Sequence, residues 1–198
     1  MTPQTSISNA INVIQDTGCN KRQAFSALVS YASSKINVPT VVTEPMKLYI
    51  VEYLDKEFDI ESMRDSINDW FTDALEDAGL IPPSDKENVN KIKANILRAI
   101  SQSKEIPLMP LFIPPQTSRL ILMIFERLGR NAIYTGVEPD VLQYHIALFN
   151  SKLYHIPAMI LNANPDVHVI TPGSPNWGWV NVWEKPAWNK MEEVRCKR

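Results

Sequence analysis

Up to about residue 105, apolar side chains recur at three- and four-residue spacing, and this period constrains the fold more strongly than any other feature of the chain. Residues 7–14 show the spacing first, and Asp, Thr and Gly at residues 16–18 are a typical helix stop. Asn20 can cap a second helix. A third helix can begin at Thr43 and run to about Phe58. The repeated helical period predicts a body built mainly from α-helices.

The clearest amphipathic pattern covers residues 60–78. Its apolar members share one helical stripe, which we expect to face the core: Ile60, Met63, Ile67, Trp70, Phe71, Ala74, Leu75 and Ala78. The aspartates of the segment fall on the other face, which we expect in solvent: Asp65, Asp69, Asp73 and Asp77. Gly79 then ends the predicted helix. A fifth helix is predicted to begin at Asn88 or Asn90.

The pattern changes after Glu105. Four prolines interrupt an apolar stretch at residues 107–115, so we expect an extended backbone there. Residues 120–125 are continuously apolar, which fits either a buried strand or a helix. Because Thr117 or Ser118 can cap a helix at this point, we favour the helix.

Short segments typical of strands follow the last predicted helix. That helix is predicted from Pro139 to about Ser151, with four side chains facing inward: Val141, Leu142, His145 and Leu148. Runs typical of strands then cover residues 158–161, 167–171 and 177–183, with turn-forming residues between them.

These patterns predict a mainly α protein with two parts. We expect a compact multi-helix body over residues 1–150 and an extended or β-ribbon arm, rich in proline and tryptophan, over residues 151–198. An isolated hairpin of this size is marginally stable in water. The arm must therefore pack on the helices of its own chain or on a neighbouring molecule.

Composition argues against several classes of protein. A formal net charge of -2 argues against a surface that binds polyanions, so nucleic acid is not the expected partner. The two cysteines, Cys19 and Cys196, cannot form a disulfide framework, which fits a reducing compartment. The longest apolar run, at residues 120–125, is far shorter than the roughly 20 residues that span a bilayer, so we expect no membrane partner.

Charge is distributed unevenly along the chain. Residues 41–90 hold four basic and thirteen acidic residues, whereas residues 91–135 hold seven basic and two acidic residues. One explanation is a pair of solvated helix faces. The other is that acidic and basic surfaces meet between neighbouring subunits, where charge orients the partners more than it tightens their binding.

The C-terminal region concentrates tryptophan. Four of the five tryptophans fall within twelve residues, and we predict that they form a partner interface: Trp177, Trp179, Trp183 and Trp188. Tryptophan is a favoured interface anchor because it offers a large, rigid apolar area with one polar group. One alternative is that these side chains cover the helical body of the same chain. Another is a platform on which sugars or bases stack, although no basic residue lies among the first three tryptophans.

No motif for catalysis or cofactor binding is present. His145, His155 and His168 are spaced by ten and thirteen residues, which fits neither a helical metal pair nor a zinc finger. The glycine-rich motifs of nucleotide sites and of the hydrolase elbow are missing. We therefore expect a protein that is not an enzyme and has no cofactor or metal. A hydrolase that uses the histidine region is the third-ranked hypothesis.

The second-ranked hypothesis is a small intracellular regulator. Residues 10–36 have the order of a helix-turn-helix, with basic residues Lys21 and Arg22 at the start of the second helix, so they could bind DNA. The arm could instead bind a host protein. Our first hypothesis is a structural subunit that associates with itself and with other protein subunits. A connector or adaptor ring of a virus or phage particle is an assembly of this kind, located in the cytoplasm or the virion.

Overall fold

The computed structural model describes residues 2–38, 47–102, 108–111, 117–129, 133–162 and 177–180. Within these residues the protein is mainly helical, as predicted, with seven α-helices and four short strands. The chain divides into two compact units, Met1–Ser84 and Asp85–Arg198. This division lies well before residue 150, where the sequence places the end of the helical body.

The described part of the first unit contains helices and connecting segments but no strand. Its helices are α1 Pro3–Gln15, α2 Lys21–Lys35, α3 Leu48–Glu57 and α4 Trp70–Asp77, with a 3₁₀ turn at Glu61–Arg64. Helix α1 packs against α2, α3 and α4, and its four periodic apolar residues are buried as predicted: Ile7, Ala10, Ile11 and Ile14. Asn20 caps α2, also as predicted, and Gln23 completes a capping box by accepting the Asn20 N–H at 2.9 Å.

Helix α3 agrees with the prediction at its end only. It is followed by Phe58, where the sequence places the end of the helix, but it begins at Leu48. The predicted cap Thr43 lies outside the described residues. Phe58 packs edge-on against Tyr31 of α2, with ring centroids 6.3 Å apart, and lies 6.5 Å from the ring of Phe71 on α4. These aromatic contacts join three helices into one core.

The single helix predicted over residues 60–78 is wrong. The segment forms the 3₁₀ turn Glu61–Arg64 and then the separate helix α4. Gly79 follows the end of α4 with a φ of 68°, as predicted for the residue that ends the helix. Asp69, expected in solvent, is 2% exposed and accepts the Thr72 N–H at 3.3 Å. An aspartate that caps a helix favours a non-helical backbone at its own position, so it divides the segment there.

We expect Asp69→Ala to lower the free energy of unfolding by about 1 kcal/mol, because an N–H in the first turn of α4 loses its acceptor. Asp69→Asn should keep most of this stability, since asparagine is an equally good cap. Urea denaturation followed by circular dichroism measures both variants. If Asp69→Ala were no more costly than Ala at the exposed Asp65, Asp69 would not be acting as a cap.

The second unit combines helices with a sheet. In chain order its elements are α5 Lys86–Gln102, β1 Leu108–Leu111, α6 Thr117–Leu128, β2 Ile133–Val137, α7 Val141–Leu153, β3 Ala158–Leu161 and β4 Trp177–Val180. The strands follow the order β1-β2-β3-β4. Strands β1, β2 and β3 are mutually parallel, and β4 is antiparallel to β3.

Helices α6 and α7 provide the crossovers between the parallel strands. They pack against each other, α6 also contacts β1 and β2, and α7 contacts β3 and β4. The helix that we favoured over residues 120–125 is confirmed as part of α6. The extended backbone expected among the prolines is confirmed where it is described, in β1.

Three details of the second unit differ from the predictions. Strand β2 was not predicted. Helix α5 begins at Lys86, ahead of Asn88 and Asn90. The Asp85 carbonyl accepts a hydrogen bond from the Val89 N–H at 2.9 Å. Helix α7 begins after Asp140, whose side chain accepts the Gln143 N–H at 3.0 Å.

This cap explains the positions of the four predicted inward residues of α7. Because Asp140 is the cap, Pro139 lies outside the helix and Val141 is its first residue. The side chain of Val141 is 49% exposed, so the prediction that it faces inward is wrong. Leu142, His145 and Leu148 are buried as predicted.

Candidate functional site

Two of the four tryptophans predicted as an interface lie in strand β4. Trp177 pairs in register with Leu161, and Trp179 pairs with Met159. Trp183 and Trp188 lie outside the described residues. Their place in an interface therefore stays a prediction, as does the arm over residues 151–198 as a whole.

Strand β4 ends the sheet within the described part of the chain. Among the described residues, only β3 pairs with it, and the backbone groups of an outer edge can accept a further strand. The opposite edge strand, β1, contains Pro110, which has no N–H to donate and so suits an edge that does not extend its sheet. β4 carries no proline. The two edges therefore differ in their capacity for a new partner.

Strand β3 gives β4 a rigid support. All four residues of β3 are buried, so both faces of this strand are covered. On the helix side, Tyr134 of β2 packs edge-on against Phe125 of α6, with ring centroids 5.9 Å apart. A strand buried on both faces holds its neighbour in a defined register.

Polar side chains collect where β2 and β3 end, which is where open parallel sheets usually bind ligands. Here side chains form hydrogen bonds with the backbone. The Asn162 amide donates to the Glu138 carbonyl at 2.8 Å, and Glu138 Oε1 accepts the Asp140 N–H at 3.2 Å. The group closes the turn between β2 and α7.

The two histidines in the described part of the chain do not form a site. His145 is 6% exposed in α7, while His155 is exposed in the turn after α7 at a φ of 54°. His168 lies outside the described residues. No group of three His, Cys, Asp or Glu side chains arranged for a metal ion occurs in the described ranges.

His145 is unusual in its hydrogen bonding. Among the described residues, neither ring nitrogen has a hydrogen-bond partner, although the ring lies 5.2 Å from that of Tyr144. Burial lowers the pKa of His145 below its ordinary value of 6.5, so the neutral form dominates at pH 7.

The possible helix-turn-helix at residues 10–36 has the expected order but not the expected surface. Every residue from Ala27 to Ser33, two full turns of α2, is buried, whereas a recognition helix needs one face free to enter a groove of DNA. At its C-terminal end, Lys35 pairs with Asp55 of α3 at 2.5 Å, and Tyr31 also donates a hydrogen bond to Asp55. Both hydrogen bonds lower the pKa of Asp55. The geometry thus makes α2 a core helix.

A groove of about 220 Å³ lies on the first unit and was not predicted. Its floor contains the buried side chains of Ile7 and Ile11 from α1 and Phe25 from α2. The exposed Lys21 of α2 and the exposed Asp77 of α4 also line it. No sequence pattern indicates this groove, because its walls come from three helices that meet only in the folded unit.

No helix in the described part of the chain is long and apolar enough to cross a membrane. Comparison with models of protein families, with curated proteins and with solved structures finds no match to this chain.

Proposed function

We propose that this protein is a non-enzymatic assembly subunit, which associates with copies of itself and with other protein subunits through its tryptophan-rich C-terminal region. One observation carries the proposal: Trp177 and Trp179 lie in β4, which is an edge strand of the sheet that the described residues form. An edge strand offers unpaired backbone groups to a strand of a neighbour, and tryptophan is the residue most favoured as an interface anchor. A connector or adaptor ring of a virus or phage particle, formed in the cytoplasm and retained in the virion, is such an assembly.

The distribution of charge supports the same proposal. Residues 1–84 hold six basic and twelve acidic residues, whereas residues 85–198 hold fourteen basic and ten acidic residues. The division between the two compact units therefore separates an acidic unit from a basic one. Opposite charges of this kind steer the acidic unit of one subunit toward the basic unit of another and disfavour contacts between like units.

The two other hypotheses have less support from the geometry. A DNA-binding regulator needs an exposed recognition helix, and α2 is buried over two turns. A hydrolase in the histidine region needs side chains that converge, and His145 is buried in α7 while His155 is exposed beyond its end. Neither arrangement offers a surface comparable to the edge strand β4.

We expect Trp179→Ala to raise the dissociation constant of the assembly about 30-fold or more, the effect of losing an interface anchor worth at least roughly 2 kcal/mol. The far-ultraviolet circular dichroism should barely change, because the strand contributes little to the helical signal. Light scattering over a concentration series measures the association.

A matched control is Trp70→Phe in α4. Trp70 is half-buried in the first unit, where its indole N–H donates to the Met63 carbonyl at 3.2 Å, so its replacement affects that unit alone. The control should associate like the native chain. If Trp179→Ala lost melting temperature but kept its association, Trp179 would be a core residue, and the proposed interface would be wrong.

A further inference from the structure

The groove on the first unit has no role so far. Its volume of about 220 Å³ is below the roughly 300–1,000 Å³ of typical small-molecule pockets. That size suits one or two side chains of a protein segment better than a cofactor. The apolar floor of Ile7, Ile11 and Phe25 calls for an aromatic or aliphatic anchor.

The charges at the groove define its occupant further. Lys21 belongs to α2 and Asp77 to α4, two helices that each pack on α1. Neither side chain forms an ion pair or hydrogen bond with the rest of the described chain. A complementary segment therefore carries an apolar anchor, an acidic group for Lys21 and a basic group for Asp77.

One segment of this chain has that composition. Residues 183–188 read Trp183, Glu184, Lys185, Pro186, Ala187 and Trp188. Glu184 and Lys185 form the chain's only adjacent acid–base pair that borders a tryptophan.

We propose that the groove of one subunit receives residues 183–188 of a second copy. Trp183 lies on the floor formed by Ile7, Ile11 and Phe25, Glu184 pairs with Lys21, and Lys185 pairs with Asp77. This inference rests on the proposed function and names the surface that the C-terminal region contacts. Since every subunit offers one groove and one such segment, the contact is head-to-tail and closes into a ring when the rotation between subunits allows.

A charge exchange between two variants of the full chain tests the contact. The groove variant carries Lys21→Glu and Asp77→Lys, and the arm variant carries Glu184→Lys and Lys185→Glu. Each variant alone should associate about tenfold more weakly than the native chain or worse, because two attractive pairs become repulsive. An equimolar mixture should recover association, since each reversed groove meets a reversed arm. Sedimentation velocity measures all three samples.

A control variant with Lys56→Glu and Glu57→Lys makes the same exchange at exposed positions of α3 that do not line the groove. It should associate like the native chain, and circular dichroism should show the native helical content in every variant. A labelled peptide of residues 181–190 should bind the native chain and lose binding to the groove variant.

Each other outcome contradicts a definite statement. A native chain that is oligomeric while the groove variant associates normally overturns the groove contact and leaves the proposed function in place. If association recovers in a chain that carries all four substitutions but not in the mixture of the two variants, the groove does not contact a second copy. A native chain that stays monomeric overturns the proposed function and the contact between copies together, whatever the peptide does.

Discussion

Replacing Tyr134 by alanine is expected to lower the free energy of unfolding by about 3–5 kcal/mol, the cost of removing a large aromatic side chain from a packed core. Tyr134 is 0% exposed in β2, and its ring packs against Phe125 of α6. The variant removes a contact that joins the sheet to its covering helix. Urea denaturation followed by circular dichroism measures the loss.

Tyr134→Phe separates the ring from the hydroxyl group. The hydroxyl donates to the Gly129 carbonyl at 2.7 Å, so its removal should cost about 1 kcal/mol, well below the cost of losing the whole side chain. If the alanine variant cost no more than the phenylalanine variant, residues 133–137 would form a surface loop. That result would contradict the parallel strand β2.

The second large effect has the opposite sign. His145→Leu should raise the free energy of unfolding at pH 7 by about 1–3 kcal/mol, because it replaces a buried imidazole that lacks hydrogen-bond partners with an apolar side chain of similar size. Thermal and urea denaturation measure the gain. A loss of stability would show that the imidazole makes a favourable polar interaction in the folded chain.

The same residue predicts how stability depends on pH. Burial lowers the pKa of His145 in the folded chain, so below about pH 6.5 the unfolded chain binds a proton that the folded chain does not. The native chain should therefore lose stability as the pH falls from about 6.5 toward the lowered folded pKa. His145→Leu should remove this part of the acid sensitivity.

The matched control for this pH series is His155→Asn. His155 is exposed, and asparagine tolerates its φ of 54°. This variant keeps His145 and should keep the acid sensitivity of the native chain. An identical pH profile for His145→Leu and the native chain would exclude His145 as its source.

The sequence predicts the helices best where an apolar period coincides with a local cap. Helix α2 has both, since Asn20 and Gln23 form a capping box directly before a long apolar run. The segment over residues 60–78 has the period alone, and the period does not show that Asp69 is drawn into the core. A side-chain cap involves residues only three positions apart, so it can interrupt an apolar period that extends over nineteen residues.

The parallel sheet is harder to predict because its pairing is not local. Ile133, Tyr134, Thr135 and Val137 are residues typical of strands, and the turn-forming Gly129 and Pro139 flank them, so a strand signal for β2 was present. Strand β1 contains Pro110, which argues against a central strand and is compatible with its place at the edge. Which strands pair depends on α6 and α7, and no residue pattern specifies that alone.

The candidate interface was predictable only in part. The concentration of tryptophan identifies the segment, and the structure adds that Trp177 and Trp179 lie on an edge strand of the sheet as far as it is described. The groove on the first unit could not be predicted, because Ile7, Phe25 and Asp77 lie on three helices and come together only on folding. The charges at the groove can be compared with those of residues 183–188 only once the shape of the groove is known.

The most direct test of the assembly proposal is the native molar mass of the purified chain, by light scattering at two protein concentrations and two salt concentrations. The chain has a mass of 22.5 kDa, and the proposal predicts a fixed multiple of this value at the higher protein concentration. High salt should weaken the oligomer without abolishing it, since buried tryptophan is not screened by ions. A mass of one chain under all four conditions would contradict the proposal.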